Sequence, residues 1–111
     1  KGYDEINVVL GILNDKDVYS IVKPFLSLVN NWYIGTINSE RGMNAEEIKY
    51  RIKSTFKNNL NIETFNSVSS AFCSAKNIQT KNSLLLVYGS FYTVSEVLKV
   101  GISKITKKNA I

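Results

Sequence analysis

The sequence predicts an α/β domain of the Rossmann-like type, in which helices cover both faces of a mostly parallel sheet to give three layers. Four short apolar segments alternate with segments whose apolar residues recur at helical spacing, in the order β-α-β-α-β-α-β-α. A helix between successive strands provides the crossover that parallel strands require. With 111 residues the chain has the length of one domain with a single core, and residues 1–111 are predicted to form it.

The first two strands are marked by apolar runs. Residues 6–13 (INVVLGIL) form a nearly unbroken run that is typical of a strand buried on both faces. A helical pattern begins at Val18, and Pro24 lies inside it, so we expect the helix to kink or end there. Residues 32–37 (WYIGTI) predict the second strand.

The second helix is predicted to be long and to begin with a capping box. Asn44 followed by Glu47 has the pattern of that motif, with asparagine in place of the usual serine or threonine. We expect one face of the helix to pack on the sheet, because the lysines and the arginine fall elsewhere. The apolar stripe of that face comprises Ile48, Ile52, Phe56 and Leu60.

The C-terminal half repeats the pattern twice. Residues 62–65 predict a third strand, and Ser67 is predicted to cap the helix that follows it. Residues 84–88 (LLLVY) predict the fourth strand, which ends at a Gly89-Ser90 turn. The apolar face of the last helix is predicted to comprise Val94, Val97, Leu98, Gly101, Ile102 and Ile105.

The Gly89-Ser90 turn joins a buried strand directly to the start of a helix. The first N–H groups of a helix have no partner within it, and together with the helix dipole they favour an anion. The serine hydroxyl adds a further polar group at that position. Since many strand-to-helix turns bind nothing, this pattern alone leaves both a structural turn and an anion site open.

Charged residues follow the first two predicted strands. Asp15, Lys16 and Asp17 come after the first strand, and Arg41 comes after the second. In open α/β sheets ligands bind outside the carboxyl ends of the strands, where these loops meet the turn at Ser90. A lysine, an arginine and a serine at a helix N-terminus suit a carboxylate or a phosphate. The sequence therefore predicts an anion-binding edge, with a solvated surface charge as the alternative for each residue.

Composition excludes several kinds of site. The chain contains no histidine and one cysteine, Cys73, so it holds neither an intramolecular disulfide nor a Cys-His or Ser-His catalytic pair. We interpret Cys73 as a small core residue and predict a reducing, cytoplasmic setting. No apolar run reaches the ~20 residues of a membrane span, and we predict no metal site within the chain.

The net charge of +5 is compatible with a nucleic-acid partner. The basic residues are nevertheless scattered, and their one cluster comprises Lys104, Lys107 and Lys108. Because no basic face with interleaved aromatic residues is visible, we predict neither a nucleic-acid nor a membrane partner. A standalone α/β module that binds anions or nucleic acid, or that has a regulatory role, is kept as the alternative function.

Three segments, GILNDKDV, NWYIGTINSERGMNAEEI and LLLVYGSFYTVSEVL, resemble one family in their order and spacing. They are similar to the C-terminal glutamate-ligase domain of the bifunctional folylpolyglutamate synthase/dihydrofolate synthases, a domain that these enzymes share with the Mur ligases. The similarity extends from about Asn7 to about Gly101. A Mur ligase that acts on a cell-wall peptide is the alternative within the ligase class.

The resemblance implies an ATP-dependent amide ligase of folate biosynthesis. ATP would phosphorylate the carboxylate of dihydropteroate or of a folate's terminal glutamate, and the amine of L-glutamate would attack the acyl phosphate. Ser90, beside Gly89, matches the family's glutamate-binding serine. Lys16 lies in the loop where related ligases place a lysine near the amino-acid carboxylate. The further candidates, by their loop positions, are Asp15, Asp17 and Arg41.

The chain also departs from the family pattern. It contains no GxxxxGK[ST] loop, no Asp-x-Ala-His-Asn motif and no histidine. The resemblance therefore implies part of a longer two-domain enzyme, without the first βα unit of its C-terminal domain. ATP and Mg²⁺ would be bound mainly by an N-terminal P-loop domain. We expect this part to be a monomer and to be inactive alone, because phosphoryl transfer needs both domains.

Overall fold

The computed structural model describes residues 3–57 and 59–109, with side chains described as far as residue 100. Its strands are β1 (Glu5–Leu10), β2 (Asn31–Gly35), β3 (Asn61–Phe65) and β4 (Ser83–Tyr88). Its helices are α1 (Val18–Val22), α2 (Ala45–Thr55), α3 (Val68–Asn77) and α4 (Phe91–Asn109), and a single 3₁₀ turn, Lys23–Phe25, follows α1. Strands and helices alternate throughout, so the predicted α/β order is confirmed.

The four described strands form one parallel sheet in the order β3-β2-β1-β4. The chain moves from β1 outward through β2 to β3, and then returns to the other side of β1 with β4. The direction of winding therefore reverses between β1 and β4. In open α/β sheets, the carboxyl ends of the strands on either side of such a reversal border the usual ligand crevice.

The sheet separates two apolar cores. Val8 and Leu10 of β1 face the core under α1 and α2, whereas Val9 faces the core under α3 and α4. All three side chains are fully buried, which confirms that β1 is covered on both faces. Trp32 and Ile34 extend the first core along β2.

Amide side chains pair across three strands at the amino edge of the sheet. Asn31 lies in register with Asn7 on one side and with Asn61 on the other. The Asn31 amide donates to Asn7 Oδ1 at 2.8 Å, and the Asn61 amide donates to Asn31 Oδ1 at 3.2 Å. The Asn7 amide donates in turn to Gln79 at 2.8 Å. The fully buried Asn7 is thus satisfied, and the ladder fixes the strand register because a slip would leave amides unpaired.

The first two strands end earlier than predicted. β1 ends at Leu10 rather than at residue 13, and β2 ends at Gly35 rather than at residue 37. The apolar residues beyond these ends, Ile12, Leu13 and Ile37, are buried in loops instead of in the sheet. The apolar runs therefore predicted correctly which residues are buried, but they predicted strands that are longer than those observed.

The second helix is shorter than predicted. α2 ends at Thr55, and Phe56 and Leu60 pack on the first core from outside the helix. Lys57 has φ = 41°, a left-handed conformation that interrupts the helix, so the expected continuous stripe is wrong beyond Ile52.

The N-terminus of α2 has a cap but not the predicted capping box. Asn44 Oδ1 accepts the N–H of Glu46 at 2.8 Å, as expected of an N-cap residue. Glu47 does not reach back to Asn44 and instead accepts from Arg51 Nε at 2.7 Å. The N–H of Ala45 donates to Thr36 Oγ1 at 2.8 Å, which satisfies a second free donor of the helix.

The remaining helices follow the prediction in part. Pro24 ends α1 early, and Ser67 caps α3 by accepting the N–H of Ser70 at 3.1 Å. On α4, Val97 is buried, but Val94 and Leu98 are exposed, so only part of the predicted apolar face packs on the core. The predicted Ile102 and Ile105 lie outside the described side chains. Cys73 lies half-buried on α3, and none of the described helices meets the length and hydropathy needed to cross a membrane.

Candidate functional site

Three loops meet at the carboxyl edge of the sheet: residues 11–17 after β1, residues 36–44 after β2, and Gly89-Ser90 after β4. The first two are joined by backbone hydrogen bonds, because the N–H of Asn14 donates to the carbonyl of Arg41 at 2.7 Å and the N–H of Met43 donates to the carbonyl of Ile12 at 2.9 Å. These bonds flank an antiparallel bridge between Leu13 and Gly42. The loops that carry the predicted charges are therefore held by backbone contacts.

Asp15 and Arg41 form an ion pair across these two loops. Arg41 Nη2 lies 2.8 Å from Asp15 Oδ2, and both side chains are more than half exposed. Partial removal from water raises the pKa of Asp15, but the hydrogen bond and positive charge of Arg41 outweigh that effect and hold the pKa below its ordinary value. Since the pair is exposed, it positions the guanidinium at the edge more than it stabilises the fold.

Asp17 serves as the N-cap of α1. Its carboxylate accepts the Ser20 hydroxyl at 2.8 Å and the N–H of Tyr19 at 3.0 Å. The hydrogen bond from Ser20 is the main reason why the pKa of Asp17 lies below its ordinary value. Both carboxylate oxygens are thus used within the loop, and the structure accounts for Asp17 without a ligand.

Lys16 is the residue between Asp15 and Asp17 in the sequence, and its side chain is exposed. It borders an open cavity of about 270 Å³ between α1 and α2, which is also lined by Asp17, Tyr19, Tyr50 and Arg51. The loop places an ammonium group at this opening.

Ser90 caps α4 at the end of β4. Its Oγ accepts the N–H of Thr93 at 3.1 Å, and its carbonyl accepts the N–H of Val94 at 3.2 Å. Gly89 has φ = 124°, and a Cβ at this position would lie 2.2 Å from the carbonyl oxygen of Gly11. A glycine is therefore required for the chain to turn this close to the end of β1.

The structure brings the predicted residues together in two groups. Asp15, Lys16 and Arg41 share the joined loops after β1 and β2, while Gly89 and Ser90 adjoin Gly11, where the same β1 loop begins. Within the described residues, no hydrogen bond or ion pair links the first group directly to the second. The loop from Gly11 to Lys16 is what connects them.

Thr93 is the buried polar residue at this edge that sequence reasoning missed. It is 0% exposed, and its hydroxyl donates to the carbonyl of Gly11 at 2.9 Å. The available signal was its place three residues after Ser90, the spacing at which an N-cap residue contacts the helix. Its bond to Gly11 joins residues far apart in sequence, so no local pattern could indicate it.

A second open cavity, of about 330 Å³, lies along β2 and β3 and is lined by Asn31, Tyr33, Asn61 and Glu63 among others. Two of these residues belong to the amide ladder at the amino edge. We assign the candidate site to the carboxyl edge instead, because the winding reversal and the charged loops coincide there.

Metal ligands do not converge in the part of the chain that the structure describes. No group of three or more histidine, cysteine, aspartate or glutamate side chains is close enough to hold an ion. Asp15 pairs with Arg41, and Asp17 accepts from the loop that it caps. The two aspartates of this edge are thus engaged by partners within the described chain.

Taken together, the parallel sheet, its covering helices and its charged carboxyl edge define an α/β domain of the Rossmann-like class. No family model matches the sequence. The dihydrofolate synthase/folylpolyglutamate synthase of Haemophilus influenzae is 34% identical over 88 residues, which cover 79% of this chain and 20% of the relative. That of Buchnera aphidicola is 30% identical over 102 residues, which cover 92% of this chain and 23% of the relative.

A solved structure of the same kind of protein is also similar to this chain. Escherichia coli FolC in complex with DHPP and ADP matches 94% of this chain with a TM-score of 0.82 and 28% identity, over 23% of its own length. The chain is therefore a homologue of one segment of the dihydrofolate synthase/folylpolyglutamate synthase family. It spans less than a quarter of the length of the curated relatives that it matches.

Proposed function

We propose that this chain is part of an ATP-dependent ligase that adds L-glutamate to dihydropteroate and to folates. The observation that carries the proposal is similarity over most of the chain to proteins of that name, together with the same fold in FolC. These relatives favour the ligase over a standalone anion- or nucleic-acid-binding module.

The test is ATP-dependent incorporation of labelled glutamate by the complete polypeptide that carries this chain. Dihydropteroate and a reduced folate are offered in parallel, with a muramyl peptide as the substrate of the alternative ligase class. Glutamate should enter the first two compounds and not the third, and the isolated 111-residue chain should be inactive. Absence of folate ligation by an active, folded polypeptide would overturn the proposal, as would ligation by the chain alone.

The proposed role of this chain is to bind the incoming glutamate. Ser90, with Gly89 keeping the turn close to β1, forms one part of the site, and the Lys16 ammonium attracts a substrate carboxylate. Arg41 is held at the same edge by Asp15 and is a second candidate for a carboxylate. These groups orient glutamate so that its amine nitrogen attacks the carbonyl carbon of an acyl phosphate, with release of phosphate.

Among these residues Asp17 has the weakest claim to a ligand. Its oxygens already accept from Ser20 and Tyr19, so its proposed contribution is to fix the loop that carries Lys16. Asp15 acts in the same indirect way through its ion pair with Arg41.

ATP and Mg²⁺ are proposed to bind mainly outside this chain. FolC has been solved with ADP, which supports nucleotide binding by the complete ligase. The described residues do not converge on a cation, and the sequence contains no GxxxxGK[ST] loop. An N-terminal P-loop domain of the same polypeptide is the proposed source of both sites, and a monomeric, cytoplasmic enzyme is the proposed form.

We further propose that a preceding βα unit of the same C-terminal domain pairs with β4. All six residues of β4 are only half-buried, although four of them are leucine or valine. The opposite edge strand, β3, carries Asn61, Glu63 and Thr64, whose polar side chains suit an edge that faces water. The contrast between the largely apolar β4 edge and the more polar β3 edge on the opposite side of the sheet supports an additional strand next to β4.

A further inference from the structure

Thr93 joins the turn at Ser90 to the end of β1. Its side chain is completely buried on the first turn of α4. Its hydroxyl donates to the Gly11 carbonyl at 2.9 Å, and its backbone N–H donates to Ser90 Oγ at 3.1 Å. The two hydroxyl oxygens, Ser90 Oγ and Thr93 Oγ1, also lie 3.1 Å apart.

The donor in the bond between the two hydroxyl groups follows from the number of hydrogens available. A threonine hydroxyl has one hydrogen, and Thr93 gives it to a carbonyl, which can only accept. Ser90 must therefore donate to Thr93 Oγ1 while it accepts the N–H of Thr93. A ligand that accepts a hydrogen bond from the Ser90 hydroxyl has to displace the bond that Ser90 donates to Thr93 Oγ1. A ligand group that donates a hydrogen bond to Ser90 Oγ leaves that bond in place.

The surrounding backbone leaves little room for a different arrangement. A Cβ on Gly11 would lie 2.6 Å from Thr93 Oγ1, and a Cβ on Gly89 would lie 2.2 Å from the Gly11 carbonyl oxygen. These contacts occur between the ends of β1 and β4, where the winding of the sheet reverses. The Ser90 hydroxyl is thus fixed in place and direction at the crevice in which a ligand is expected.

We propose that Thr93 is a positioning residue for glutamate binding, which acts by holding the Ser90 hydroxyl and by keeping the turn of α4 against Gly11. This inference rests on the proposed ligase function. It predicts that loss of the Thr93 hydroxyl affects glutamate recognition even when the fold is retained, because Ser90 then loses the acceptor that orients its hydrogen.

The test uses steady-state glutamate kinetics of the complete polypeptide with Thr93→Val, which removes the hydroxyl and preserves the shape. The KM for glutamate should rise roughly tenfold, equivalent to about 1.4 kcal/mol, with a much smaller change in kcat. Thr93→Ser retains the hydroxyl and should restore a KM near that of the unmodified protein. Ser69→Ala is the matched control, because it removes a hydroxyl whose 2.6 Å bond to Glu96 ties α4 to α3 instead of to β1.

An unchanged glutamate KM in Thr93→Val would overturn the inference, and so would an equal rise in the Ser69→Ala control. If the unmodified polypeptide ligates no glutamate, it is the proposed function that fails. If Thr93→Val does not fold, the hydroxyl protons of the unmodified chain are measured by NMR. A Thr93 hydroxyl proton that exchanges slowly and lies close to Gly11 supports the inference, whereas one in fast exchange with water contradicts it.

Discussion

At the scale of single residues, Asp15 and Asp17 lie two positions apart and are held by different partners. Asp15 pairs with the Arg41 guanidinium, whereas Asp17 accepts from Ser20 and Tyr19 as a helix cap. Both carboxyl groups consequently have a pKa below the ordinary value of 3.8. A carboxyl group whose pKa is lower in the folded than in the unfolded state stabilises the folded state while it is ionised.

The contribution of Asp17 is therefore predicted to be lost in acid. Above the unfolded-state pKa near 3.8 its ionised form favours folding, and this benefit disappears as the pH falls through the lower folded-state pKa. Asp17→Asn keeps an acceptor for the Tyr19 N–H but removes the titration and the second oxygen, which accepts from Ser20. Its free energy of unfolding should therefore be somewhat lower than that of the unmodified chain at neutral pH and should decline less in acid. Urea unfolding measured between about pH 2 and pH 6 tests this, because the linkage acts in that window.

Glu40→Gln is the control for Asp17→Asn, because Glu40 is an exposed carboxyl in the neighbouring loop. The control should decline in acid as the unmodified chain does. An identical acid decline in Asp17→Asn and in the unmodified chain would contradict the prediction.

Most of the candidate residues could be proposed from the sequence because charges after strand ends fall at one edge of a parallel sheet. The role of each of these residues could not be predicted from the sequence. Asp17 was grouped with possible ligands, yet its oxygens are used by α1, and Thr93 was missed because its decisive bond is to Gly11, distant in the chain. Hydrogen-bond saturation is a property of three-dimensional neighbours, so a linear pattern does not reveal it.

At the scale of elements, the loops after β1 and β2 depend on Gly42. Its N–H donates to the Ser39 carbonyl at 3.0 Å, and the residue pairs with Leu13. A Cβ at this position would lie only 1.8 Å from the Ile37 carbonyl oxygen. The loop that presents Arg41 is therefore compatible with a glycine alone.

Gly42→Ala is predicted to lower the free energy of unfolding by about 3 kcal/mol, the upper end of the usual range for overpacking. The backbone atom that it meets cannot move without breaking the contact between the two loops. Urea unfolding of the 111-residue chain measures the effect. Ser39→Ala, an exposed change in the same loop, should stay within about 0.5 kcal/mol. A similarly small effect for Gly42→Ala would show that the loop adapts.

Element order was predictable, and element length was less so. Alternating strand and helix patterns, Pro24 and the caps at Asn44 and Ser67 identified the elements from local chemistry. The ends of β1, β2 and α2 were misplaced because apolar residues continue beyond them into buried loops. Burial sets the apolar pattern, whereas the end of an element depends on its last hydrogen bonds, such as those interrupted near Lys57.

At the scale of the whole molecule, the two edges of the sheet differ. β3 carries three polar residues among five, with Asn61 and Glu63 exposed, while β4 is half-buried along its whole length and apolar from Leu84 to Val87. On α4, which packs beside β4, Phe91 is 83% exposed and Leu98 is 55% exposed. These features indicate that the β4 side of the domain is suited to further packing, in agreement with the proposed additional βα unit.

Amide hydrogen exchange of β4 should therefore slow when the chain is extended by the residues that precede it in the complete polypeptide. An added strand would give partners to the outward-facing N–H groups of Ser83–Tyr88, and exchange from a paired strand requires that pairing to open. β3 is the internal control, because its polar edge is not expected to gain a partner and its exchange should be unchanged. Equal exchange of β4 with and without the extension, in a folded protein, would rule out pairing along this edge. Slower exchange of both strands would instead indicate a general gain in stability.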